Sequence, residues 1–256
     1  MTTDFTILPL VHTISGAADI AVEREHVYVT ADGPLGFDLY RPPHVTAPCA
    51  AVVLVSGLPD PGVAKMLGKP LKDWASYTGW ARMIAASGIA AITYLNRTPA
   101  DVFALLAHLR TNAAALGIDP ARIGVWACSG HVPSALAVIA REPVACAALL
   151  YGFTLDLDGH TEVADAAVKF YFATPPVSLD ELPRALPMLV VRAGRDTTPG
   201  LDASLQRFIA AARARPLAIT VIEHAEAPHS FDIVDDSPRT HEVINSLLDF
   251  LRRSLT

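Results

Sequence analysis

An α/β fold on a mostly parallel sheet is predicted by three features of this 256-residue chain. Short apolar, β-branched runs recur at residues 50–55, 89–95, 123–126, 145–150, 189–191 and 218–222. They are almost continuously hydrophobic, as strands covered on both faces must be. Segments with helical spacing lie between them. A hydrophobic content of 52% supplies the side chains for a sizeable core.

The elements follow in order. Residues 26–30 and 35–40 flank Ala31-Asp32-Gly33-Pro34 and read as an antiparallel hairpin. After the third strand, residues 58–72 are rich in Gly and Pro and read as a loop. Trp74, Tyr77 and Trp80 then share helical spacing, which suits helix packing or ligand contact. Val102, Leu105, Leu106 and Leu109 fall at i, i+3, i+4 and i+7. Before them, Thr98-Pro99-Ala100-Asp101 offers an N-cap hydroxyl, Pro at the first helical position and an acid at N3. Leu201, Leu205, Phe208, Ile209 and Ala212 mark another helix. Val243, Ile244, Leu247, Leu248 and Leu251 mark the last one, which Ser237-Pro238 would start. The count is about eight strands, the first two antiparallel and the rest mostly parallel, with helices on both faces. No repeat or linker divides the chain, so one domain over residues 1–256 is expected. Residues 1–20 form an N-terminal extension and residues 152–186 a small cap insertion, because long irregular insertions are usually functional.

Bulk properties exclude several classes of function. The net charge is −6 and no Lys/Arg cluster opposes it, which argues against a nucleic-acid surface. No apolar run approaches the ~18 residues of a membrane span. Met1-Thr-Thr-Asp-Phe-Thr lacks the basic start of a signal peptide. The three cysteines, Cys49, Cys128 and Cys146, form no disulfide framework and fit a reduced, cytoplasmic setting. No His/Asp/Glu cluster has metal spacing, and no cofactor is expected. His12, His26, His44 and His241 carry no signal, and His108 and His160 read as structural and solvated.

The chemistry centres on Ala127-Cys128-Ser129-Gly130-His131. An apolar run precedes it and an Ala-rich helical segment follows, which puts a hydroxyl at a sharp strand–turn–helix junction. A serine hydroxyl needs a base within hydrogen-bond reach, and the base needs an orienting acid. Asp196 lies just past the strand at 187–192. His229 lies past the strand at 218–223, in the loop before the last helix. All three side chains then emerge at the carboxyl end of a parallel sheet, where open α/β folds place their sites. Asp202 and Asp232 are weaker candidates for the acid, and His224 for the base.

Over roughly residues 20–255 the chain resembles the α/β-hydrolases of the dienelactone hydrolase and serine esterase/peptidase type. The marks are Val55-Ser-Gly57, Gly117-Ile-Asp-Pro-Ala-Arg-Ile-Gly-Val125 leading into the elbow, Ala193-Gly-Arg-Asp196 and Pro228-His-Ser-Phe231. The resemblance implies Ser129 as nucleophile, Asp196 as acid and His229 as base. It implies an oxyanion hole from the backbone N–H groups of Leu58 and Gly130. The family elbow is Gly-x-Ser-x-Gly; here Ala127 and His131 replace both glycines. Ala127 adds one methyl group. His131 either packs sideways or points into the site, and with Tyr77 and Phe172 it is a candidate substrate contact. Phe170-Tyr171-Phe172 would line an acyl pocket or form a lid. The implied activity is hydrolysis of a small carboxylic ester through an acyl-enzyme. A Cys128-dependent dienelactone hydrolase or lactonase is one alternative, and a non-catalytic hydrolase-like binding protein is another. The oligomeric state stays open, with a homodimer among the options.

Overall fold

The apolar runs become strands β1 (Val22–Thr30), β2 (Gly33–Tyr40), β3 (Cys49–Leu54), β4 (Ala90–Tyr94), β5 (Ile118–Cys128), β6 (Ala147–Leu150), β7 (Met188–Ala193) and β8 (Ile219–His224). The helices are α1 (Asp60–Leu67), α2 (Ala75–Ala86), α3 (Asp101–Thr111), α4 (Ala113–Leu116), α5 (Val132–Arg141), α6 (Glu162–Phe170), α7 (Leu201–Ala214), α8 (Phe231–Val234) and α9 (Pro238–Leu255). This computed structural model describes residues 4–43 and 48–255; the first three residues of the expected N-terminal extension, and His44, lie outside them.

One sheet runs in the order β1-β2-β4-β3-β5-β6-β7-β8. Thr30 pairs with Gly33, so Ala31-Asp32 is a two-residue hairpin turn. β2 is antiparallel to both β1 and β4, and every later pairing is parallel. β2 is therefore the single strand that opposes the others. The expected α/β architecture of about eight mostly parallel strands is the observed one.

The period of two along each strand divides the core in two. On β5, Val125 and Ala127 face one layer, with Leu105 and Leu109 of α3, Leu136 of α5 and Phe208 of α7. Trp126 and Cys128 face the other, with Trp80 and Ile84 of α2 and Leu247 and Leu251 of α9. Both faces are covered, which is why the strands read as unbroken apolar runs. Burying each large apolar side chain here is worth about 1.5–3 kcal/mol.

Two local expectations are corrected. Residues 58–72 are not a loop throughout: α1 forms from Asp60, with Pro61 in its first turn, and Gly68 ends it in the left-handed region at φ 83°. At α3 the Thr98 hydroxyl is not the N-cap. The helix begins later, and the Asp101 carboxylate reaches back to accept the Arg97 and Thr98 amides at 2.7 and 2.9 Å. A charged acceptor bonds free amides more strongly than a hydroxyl does. At α9 the expected start is present: the Ser237 hydroxyl accepts the Thr240 amide at 3.2 Å. Among the described residues no helix is long and apolar enough to cross a membrane, and no group of three His, Cys, Asp or Glu could hold a metal ion.

Candidate active site

β5 carries the chain to the turn. Cys128 is its last residue, Ser129–His131 form one 3-10 turn, and α5 follows at once. Ser129 has φ 50°, a left-handed conformation that costs a non-glycine residue of order 1 kcal/mol or more. That backbone lifts its side chain away from the sheet. Ser230, beside His229, is also left-handed at φ 57°, and so is Tyr151, just past β6, at φ 32°. Strained backbone thus gathers at the ends of three strand units around one spot.

The structure brings Ser129, His229 and Asp196 together. The Ser129 hydroxyl lies 3.0 Å from His229 Nε2 and donates to it. His229 Nδ1 lies 2.6 Å from Asp196 Oδ2 and donates in turn. The Asp196 side chain has no exposed surface, whereas the His229 ring keeps 30%. Burial alone would raise the Asp196 carboxyl, but the bonds from His229 and from Thr198 outweigh it and hold the pKa below the usual value. The Thr198 amide donates to Asp196 Oδ1 at 2.8 Å. The rival groups are occupied elsewhere. Asp202 pairs with Arg192, Asp232 is buried against Trp80 and Tyr151, and His224 is buried 2.9 Å from the Thr240 hydroxyl. His108 packs edge-on to Phe37, and His160 is half-exposed beside Glu162.

His131 packs under the loop that follows β3 and also borders the open space beside Ser129. Its Nδ1 accepts the Gly57 amide at 2.8 Å, and its ring meets the Tyr77 ring edge-on at 5.7 Å. Burial lowers its pKa to about 4, so the ring is the neutral acceptor this bond requires. Gly57 must lack a side chain. A Cβ there would stand 2.5 Å from the Gly130 carbonyl oxygen and 2.9 Å from the His131 Cα. With the Gly57 amide committed to His131, Leu58 is the next N–H along the loop. It lines the cavity with Gly130, and its own bond to the Ser56 hydroxyl is long, at 3.4 Å. Asn96 and Asp60 brace this loop. Asn96 Nδ2 donates to the Leu58 carbonyl at 3.1 Å, and the two side chains exchange bonds with each other's amides at 2.9 and 2.8 Å. Sequence reasoning missed both. Their signal was position: a polar residue just past β4, and an acid in an otherwise apolar turn.

Ser129 and His229 stand where two cavities meet. The outer cavity, about 350 Å³, is lined by Phe153 and Phe172 inside and by Thr197 and Pro199 at its rim. The inner one, about 470 Å³, runs under Phe5 and Leu67 to Tyr77, Trp126, Cys128 and Tyr151. Residues 152–187 contribute α6 and line the outer cavity with Phe153, Phe170 and Phe172. Phe172 stacks on Phe153 at 5.1 Å and packs so tightly on Gly130 that a Cβ there would lie 2.8 Å from its ring. Tyr171 points to solvent instead, and Phe170 lies at the mouth of both cavities. The Ala173 amide bonds the Gly57 carbonyl at 2.8 Å, which ties this segment to the β3 loop. Tyr77 and Trp80 are each both core and wall of the inner cavity. Cys128 is buried, with its thiol pushed up to about 12 by burial, in the company of Tyr77, Tyr151 and Asp232.

The sheet order, the strand-end site and the layered helices define the α/β-hydrolase fold. Solved structures agree. The chain is similar to a bacterial heroin esterase at 16% identity and a TM-score of 0.70, over 93% of this chain and 84% of that one. It is similar to the esterase LipW from Mycobacterium marinum at 16% identity and 0.70, over 94% and 83%. It is similar to a hyperthermophilic esterase from the archaeon Pyrobaculum calidifontis at 18% identity and 0.69, over 94% and 89%. At these identities the likeness is one of fold. No family model and no curated protein matches the chain.

Proposed function

We propose that the protein hydrolyses small carboxylic esters through an acyl-enzyme on Ser129. The observation that carries this reading is the continuous hydrogen-bonded chain from Ser129 through His229 to a buried Asp196, opening on a cavity. His229 takes the Ser129 proton as the hydroxyl oxygen attacks the ester carbonyl. Asp196 holds the imidazole in the tautomer whose Nε2 is free to accept, and it stabilises the imidazolium that forms. The Leu58 and Gly130 amides receive the oxyanion; one such donor is worth about 2.7–4 kcal/mol. His229 then protonates the departing alkoxide and activates water to free the acid.

In this reading residues 152–186 act as a cap on a single domain, and the modest cavities favour short acyl chains and small alcohols. The esterase neighbours support an ester as the substrate class. The unpaired thiols accord with a reduced, cytoplasmic setting. The test is purified protein with p-nitrophenyl acetate and butyrate, together with a fluorophosphonate probe. Turnover and labelling at Ser129 are expected. Absence of both would leave a binding protein on a hydrolase scaffold.

A further inference from the structure

A second acid lies behind His229. Asp232, on α8, is buried, and each of its oxygens accepts one bond of 2.7 Å: Oδ2 from the Trp80 indole N–H and Oδ1 from the Tyr151 hydroxyl. The Tyr151 ring in turn meets the His229 ring edge-on, with centroids 5.1 Å apart. Tyr151 keeps this place with a left-handed backbone at φ 32°, a conformation that persists only where the surroundings over-determine it. One side chain therefore touches the imidazole with its ring and the buried carboxyl group with its hydroxyl.

A buried carboxylate needs strong donors and a positive charge nearby. The donors are present. An indole N–H can only donate, so the proton of a neutral acid has no place at Oδ2, and at Oδ1 it would turn the Tyr151 O–H away. A fixed cation is missing: among the described residues no Lys or Arg lines the cavity that Asp232 and His229 share. Burial raises the Asp232 carboxyl, while the bonds from Trp80 and Tyr151 and the charge of His229 oppose that rise. The other groups around the pair add little charge. Burial pushes the Cys128 thiol up to about 12 and the Tyr77 and Tyr151 hydroxyls well above their usual range. Asp196 holds Nδ1. Its neighbour Arg195 is exposed and paired with Glu226, and Asp4, on the same cavity as Asp232, is also exposed, so solvent screens them. The positive charge that completes Asp232 is the imidazolium that His229 becomes when it takes the Ser129 proton.

We propose that Asp232 is a positioning residue for the reaction: a buried carboxylate that backs His229 through Tyr151 and favours its charged form as Ser129 attacks. The proposal rests on the reading of His229 as the base in ester hydrolysis. The test is the pH profile of kcat/KM for p-nitrophenyl butyrate, from about pH 5 to 9, in the wild type and in Asp232→Asn. Without the anion the imidazolium forms less readily, and the free base survives to lower pH. The acid limb is therefore expected to move down by about 0.5 to 1 pH unit. In step, kcat should fall by about three- to tenfold with little change in KM, since one unit is tenfold. A merely structural role would lower the amount of folded enzyme and leave the limb in place, and that result overturns the proposal. So does a wild-type ¹³C carboxyl signal showing Asp232 protonated at neutral pH, a measurement that does not need the variant to fold. Turnover with an unmoved limb sinks this inference alone. No turnover of any ester and no fluorophosphonate labelling of Ser129 would sink the ester-hydrolase reading, and this inference with it.

Discussion

The His131 imidazole accepts the Gly57 amide at 2.8 Å, which joins the turn that carries Ser129 to the loop that carries Leu58. His131→Gly would restore a small residue at the elbow and remove this joint. Leaving the buried Gly57 amide unpaired costs about 1–3 kcal/mol of stability. With the loop no longer fixed, kcat on p-nitrophenyl butyrate is expected to fall about 10- to 100-fold with little change in KM, because the oxyanion is met only in the transition state. Urea unfolding and steady-state kinetics measure the two effects separately. An unchanged kcat would mean that the loop holds its place without His131.

Burial of the same ring makes stability depend on pH. Burial lowers the His131 pKa from 6.5 to about 4, so the unfolded chain binds the extra proton first. The stabilisation is complete above pH 6.5 and drains away as pH falls from there through about 4. A shift of that size amounts to roughly 3 kcal/mol. His131→Asn keeps an acceptor but no titrating ring, so its unfolding free energy should vary less over this window. Equal slopes in the two proteins would show that other groups carry the acid sensitivity.

Gly57→Ala tests the close approach itself. The new methyl group would meet backbone, the Gly130 carbonyl oxygen and the His131 Cα, which cannot rotate out of its way. A drop of roughly 1–3 kcal/mol in stability and a fall in kcat of at least about tenfold are expected. Gly62→Ala is the control, since nothing lies within 4 Å of a Cβ there. In α1 that change should stabilise, by up to about 1 kcal/mol. Similar losses in both variants would refute the steric account.

Ser129→Ala and Asp196→Asn separate nucleophile from orienting acid. By analogy with other triads, the first should lower turnover by about 10⁶-fold and the second by about 10⁴-fold. In Asp196→Asn the carboxylate that fixes the imidazole tautomer is gone, so kcat should suffer far more than KM.

The Cys128 alternative has its own readout. A buried thiol pushed up to about 12 is almost wholly protonated at neutral pH. Iodoacetamide at about pH 8 should leave turnover within roughly twofold. Rapid inactivation, with the adduct mapped to Cys128 by mass spectrometry, would restore the thiol as nucleophile.

Ser129, Asp196 and His229 were legible in the sequence because each sits just past an apolar run, and a parallel sheet brings such ends together. Helix α1 was not, because Pro61 and Gly62 read as turn residues when context is ignored, although Pro is at home in a first helical turn. The role of His131 was left open because its partner lies 74 residues away. The wall formed by Trp80, Tyr151 and Asp232 was invisible for the same reason. Its bonds span 152 and 81 residues, and no local spacing encodes them.

The bond from the Ala173 amide to the Gly57 carbonyl bears on any redesign of the site. Residues 170–175 are an obvious place to randomise for a new substrate range, since Phe170 and Phe172 face the cavity. Any exchange that displaces position 173 also pulls on the loop that supplies the Leu58 amide. Libraries in this stretch will therefore trade selectivity against turnover unless the bond from the Ala173 amide is kept.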